Sequence, residues 1–144
     1  MFKTRNPKFK ELIEDKLSRQ YFMKHIGFEL TRIEEGVIEG SMPIQQIHKQ
    51  QNEKLHGGLI NTLCDIVAGF AAFSLVAAEK HVVTAEIKVS FLNGGIGETV
   101  HAKGWVIKPG RNFHFCESEV WTINKGEKIL VAKATTTMAV IDSF

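Results

Sequence analysis

The sequence predicts an α+β fold in which a six-stranded antiparallel sheet curls around one long central helix, with an extra helix at the N-terminus. Three observations predict it. Residues 57–78 are apolar on nearly every side, as a helix wrapped by a sheet would be. Two short strand-like runs precede that helix and four longer ones follow it. One helix cannot cover both faces of six strands, so the sheet must curve around it and bury the remainder against a second copy of the chain.

The elements follow in order. Asn6-Pro7 opens a first helix, since Asn offers a capping oxygen and Pro suits the first helical position. Phe9, Leu12, Ile13 and Leu17 recur at helical spacing, and the stripe runs to about Phe22. Residues 28–34 and 37–42 read as strands joined at Glu35-Gly36, a hairpin closed by Pro43. Residues 44–55 are polar and aperiodic and read as a loop. The long helix comes next and stops at Glu79-Lys80. Residues 82–92, 98–108, 113–123 and 128–141 alternate and are rich in β-branched and aromatic side chains. Asn93-Gly94-Gly95, Pro109-Gly110 and Asn124-Lys125-Gly126 are the turns between them. A helix, two strands, a long helix and four strands outline a hotdog domain. The 144 residues suffice for one such domain, spanning 1–144, around one core.

Composition excludes several classes. Apolar residues are 44% and charged residues 24%, as in a soluble globular protein. The net charge is only +2, with Lys and Arg scattered among acids. Nucleic-acid binders concentrate positive charge on one face, so no nucleic-acid partner is expected. Residues 59–78 are long enough for a membrane span, but Asp65 lies inside, where a carboxylate costs about 2.5–3.5 kcal/mol. No membrane association is expected. Cys64 and Cys116 form neither a disulfide framework nor a zinc motif, and residues 1–7 lack the apolar core of a signal peptide. A reducing, cytoplasmic setting follows, with no metal and no cofactor.

The chemistry concentrates in residues 55–69. His56-Gly57-Gly58 opens the long helix, and Asp65 stands two turns in. First-turn N–H groups have no partner within the helix, and the helix dipole adds positive potential there. Glycine lets a substrate approach that backbone closely. Such a start can hold the oxyanion of a tetrahedral acyl intermediate, while Asp65 attacks the carbonyl or activates water. Standing alone, His-Gly-Gly would read as a turn with a capping His, and Asp65 as a structural acceptor. Cys64 reads as a small core residue. The remaining histidines, His81 among them, show no ligand spacing.

The stretch LHGGLINTLCDIVAGFAA, then VTAEIKVSFL, then the KPGRN turn before a strand pair, resembles hotdog acyl-CoA thioesterases of the phenylacetate-degradation (PaaI-like) type. The resemblance covers roughly residues 27–140. It implies hydrolysis of an acyl-CoA, with coenzyme A as part of the substrate, in a side-by-side dimer that often pairs again into a tetramer. Carried over by position, the Gly57 N–H polarises the thioester carbonyl and His56 supports that geometry. Asp65 is the nucleophile or general base, and Thr84 the hydroxyl that helps place water or carboxylate. Gly58, Asn52, Lys108 and Arg111 are the implied substrate contacts, the last two to the phosphates. The family usually has Asn six residues before the His, where this chain has Gln50, the same amide on a longer arm. A non-catalytic acyl-CoA sensor on the same fold is the alternative. Gly57 and Asp65 are eight residues apart, about 12 Å along one helix. One thioester carbon cannot meet both, so each site is expected to draw its groups from two subunits.

Overall fold

The computed structural model describes residues 2–144. Helices α1 (Phe9–Ser18) and α2 (Tyr21–Ile26) lead into strands β1 (Glu29–Glu34) and β2 (Val37–Pro43). Helix α3 (Gly57–Phe73) follows, then β3 (Lys80–Phe91), β4 (Thr99–Pro109), β5 (Phe113–Asn124) and β6 (Glu127–Asp142). The six strands form one antiparallel sheet in the order β1-β2-β4-β5-β6-β3. Helix α3 packs against β2, β3, β4, β5 and β6, which requires the sheet to curl around it. This is the hotdog fold that the sequence predicts. None of the described helices is long and apolar enough to cross a membrane.

The core lies between α3 and the concave face. Alternate residues of β4 and β5, among them Val100, Ala102, Cys116 and Val120, turn inward onto Leu63, Val67 and Ala71 of α3. Each fully buried Leu, Ile or Val contributes about 1.5–3 kcal/mol. The helix sits so close to β4 that a Cβ on Gly104 would lie 2.4 Å from the Val67 carbonyl carbon. Only glycine permits that approach.

Three elements differ from expectation. The N-terminal helix is two helices, broken at Arg19 and Gln20, whose backbones leave helical values. On a continuous helix Ile26 would stand about 140° around the axis from Ile13. Both are buried, so the break turns each onto the core. Helix α3 stops at Phe73 rather than at Ala78. The two carbonyls just past its end, which a longer helix would use, are taken from outside: the Thr4 hydroxyl donates to Ser74 O at 2.6 Å and Arg5 N–H to Leu75 O at 3.4 Å. The Ser74 hydroxyl in turn accepts from Gly36 N–H at 2.7 Å and donates to Ala71 O at 2.7 Å. Residues 44–55 contain a 3₁₀ turn, Gln46–His48, with His48 buried. His48 Nδ1 accepts from Gln45 N–H at 2.9 Å, so Nε2 carries the proton and donates to Ile26 O at 2.7 Å. That bond fastens the loop to the end of α2.

Candidate active site

His56 caps α3, its backbone extended and its Nδ1 accepting from Gly58 N–H at 2.9 Å. The cap engages the Gly58 donor. The Gly57 N–H has no partner among the described residues, and it stands at the positive end of the helix. A cleft of about 380 Å³ opens beside it, lined by Gln50, Lys54, Ile60, Phe91 and others. The Phe91 ring flanks Gly57 closely, 3.5 Å from where a Cβ would stand. Gln50 accepts from Asn52 N–H through its side-chain oxygen, which leaves its amide N–H₂ as the free donor toward this cleft. Asn52 itself is exposed in the turn and does not line the cleft.

Asp65 belongs to a different cleft. Two turns along α3 it is half-buried, with Leu63, Cys64 and Val67 around it fully buried. Its Oδ1 accepts from the Thr84 hydroxyl on β3 at 2.7 Å. This bond holds one oxygen and leaves Oδ2 for a water or an acyl carbon. The cleft has about 580 Å³, room for a substantial acyl group, and its walls include Ile66, Phe70, Val82 and Met138. The two clefts have no lining residue in common. The structure therefore brings Asp65 and Thr84 together, and Gly57 and Gln50 together, with the pairs at separate places on one chain.

Lys108 and Arg111 lie by neither cleft. Lys108 is exposed on β4, and Arg111 lines a third hollow, of about 330 Å³, with Arg5, Lys80 and His114. Cys64 and Cys116 are core residues whose thiols burial pushes up to about 11 and about 12, too high for a nucleophile at neutral pH. Among the described residues no three His, Cys, Asp or Glu side chains cluster as a metal site would.

Sequence reasoning missed one wall of the Asp65 cleft. Lys16, Arg19, Gln20 and Phe22 come from the N-terminal helices, and His81 from β3. Nothing local signals them. His81 reads as an ordinary strand residue, and only the fold carries Lys16 to it.

The profile of the thioesterase superfamily matches residues 52–129. Among solved structures, a thioesterase family protein from Silicibacter pomeroyi is 32% identical, covering 94% of this chain and 99% of that one, with a TM-score of 0.91. A thioesterase from Haemophilus influenzae is 25% identical over 99% of this chain and 96% of that one, with a TM-score of 0.83. The PaaI protein from the phenylacetic acid degradation operon of E. coli, 18% identical over 97% of this chain and 98% of that one, has a TM-score of 0.85 and is alike in fold.

Proposed function

Because this chain belongs to the thioesterase superfamily, we propose that it hydrolyses acyl-CoA thioesters, with Asp65 as nucleophile or general base and the Gly57 N–H as donor to the carbonyl oxygen. The observation that carries this reading is Asp65, oriented by Thr84 at 2.7 Å inside a cleft of acyl size. As a base, Asp65 takes a proton from water while the water oxygen bonds to the carbonyl carbon. The oxyanion collapses, the C–S bond breaks, and coenzyme A leaves as thiolate beside the free acid. As a nucleophile, the carboxylate bonds first and water opens the resulting anhydride. A positioned base supplies about 10²–10⁴ in rate and one oxyanion donor about 10²–10³.

Two separate half-sites on one chain support a site shared between subunits. Strand β3 is an edge strand with Val83, Thr84, Ala85 and Glu86 exposed, a form of edge that proteins cover. Thr84 and Phe91 lie toward opposite ends of β3. Antiparallel pairing of two β3 edges would set the Thr84–Asp65 end of one chain against the Phe91–Gly57 end of the other. The assembly is then a dimer, or a dimer of such dimers. His56 positions the donor by fixing the helix start, and Gln50 orients water or carbonyl through its amide. Lys54, at the rim of the Gly57 cleft, is the first cation we assign to the coenzyme A phosphates, with Lys108 and Arg111 of the hairpin as the second pair. Two unpaired cysteines fit a reducing, cytoplasmic compartment.

The test is free-thiol release from a panel of acyl-CoAs, with wild type and Asp65→Asn compared. Buried Cys64 and Cys116 add no background to the thiol signal. Wild type should release thiol, and Asp65→Asn should lose at least about a hundredfold in turnover while remaining folded. Turnover within a few-fold of wild type would remove Asp65 from the reaction. Tight binding without release by wild type would make the chain an acyl-CoA sensor.

A further inference from the structure

The Asp65 cleft is not uniform along its length. Its reactive end is Asp65 with Thr84, and its middle is apolar. At the far end stand Lys16 and His81 around the Phe73 ring. Lys16 Nζ lies 4.9 Å from the Phe73 ring centroid, and His81 stacks edge-on to the same ring at 5.4 Å. Lys16 is half-buried, and among the described residues it has no carboxylate partner. Arg19 beside it is exposed and already paired with Asp15 at 2.5 Å. His81 Nδ1 accepts from Val82 N–H at 2.6 Å, so the ring proton sits on Nε2 as a free donor. Burial first, and then the Lys16 ammonium, hold His81 below its ordinary range, which favours the neutral ring. Asp65 is the single acid in the lining.

A half-buried ammonium at one end of a cleft whose single acid stands at the other end lacks its counter-ion. We infer, on the premise that the chain is the acyl-CoA thioesterase proposed above, that the cleft selects acyl groups with an anionic far end, such as a carboxylate, bound by Lys16 with the His81 Nε2–H as second donor. Length sets the class further. Thr84 and His81 are three residues apart on β3, about 10 Å, and Asp65 and Phe73 eight apart on α3, about 12 Å. An extended chain reaches about 1.2 Å per bond. Thioesters of dicarboxylic acids with about eight to ten carbons fit that reach.

The test compares octanoyl-CoA with the mono-CoA thioester of octanedioic acid, and extends the diacid to six and ten carbons. Wild type should favour the octanedioyl thioester at least tenfold in kcat/KM. Lys16→Met should remove at least tenfold of that preference, Lys16→Arg should restore it, and Lys16→Glu should reverse it. A wild-type preference for the neutral chain, or a ratio indifferent to Lys16→Met, overturns the inference. If wild type hydrolyses neither thioester, the thioesterase reading is judged on the wider acyl-CoA panel. The inference is then decided by calorimetric titration with the CoA thioethers of the same two chains. Tighter, Lys16-dependent binding of the acidic thioether upholds it, and equal binding overturns it.

Discussion

Thr84 donates its hydroxyl to Asp65 Oδ1 at 2.7 Å, joining the carboxylate of the central helix to the exposed edge of the sheet. If two β3 edges pair as proposed, the bond would also link the Asp65 carboxylate to that interface. It fixes which oxygen of Asp65 is free.

A positioning hydroxyl should affect turnover more than affinity. Thr84→Val keeps the size and removes the donor, and should lower kcat about tenfold with little change in KM, as loss of one hydrogen bond to a charged group implies. Thr84→Ser should retain activity within about threefold of wild type. Steady-state kinetics on one acyl-CoA checks both. A rise in KM alone would instead make Thr84 part of the binding wall.

Gln50 accepts from the Asn52 N–H within its own turn. Asn makes the same local bond readily. Gln50→Asn should therefore leave kcat/KM unchanged or raise it. A tenfold loss would show that the longer arm is required and that the loop is built around it.

Shared sites make a counting prediction. Asp65→Asn and Gly57→Pro should each be inactive, the second because it deletes the donor N–H at a helix position that accepts proline. Refolded together, random pairing makes about half the dimers mixed, and each mixed dimer keeps one intact site. Activity should recover to about a quarter of wild type by that count. Heterodimers verified by mass spectrometry that stay inactive would confine the site to one chain.

Thr122 is fully buried, and its hydroxyl has no partner among the described residues. Thr122→Val replaces an unpaired polar atom with a methyl and should raise unfolding free energy by about 1 kcal/mol. Chemical denaturation at fixed protein concentration measures it. A loss of the same size would reveal a buried water on that hydroxyl.

What the sequence shows of the fold is what local pattern can carry. The strands alternate, so their existence was legible, and a lone carboxylate on an apolar helix after His-Gly-Gly marked the candidate site. Partners far apart in the chain were not. Nothing near Ala77 and Ala78, both good helix formers, says that α3 ends early; past its end, Thr4 and Arg5 occupy the Ser74 and Leu75 carbonyls that a longer helix would use. The break at Arg19–Gln20 is likewise a tertiary choice, visible only once Ile13 and Ile26 must face one core. The Lys16–His81 end of the cleft joins residues with no common motif, so only the folded chain assembles it.

Ser74 is where the start of the chain, the β1–β2 turn and the end of α3 meet. Its bonds to Ala71 and Gly36 lie within the core body, whereas the Thr4 bond, with Arg5 N–H to Leu75 O and His48 to Ile26 O, is among the few hydrogen bonds that tie the N-terminal arm to the rest. The arm carries Lys16, and so one wall of the Asp65 cleft; it buries Phe9, Ile13, Met23 and Ile26, but its hydrogen bonds to the rest are far sparser than a sheet ladder. A region tied in this way opens by sub-global fluctuation at a fraction of the global unfolding free energy. Amide exchange in residues 9–26 should therefore outpace that of β4 and β5, and the rate at which acyl groups enter and leave would be set by detachment of this arm while the sheet stays closed.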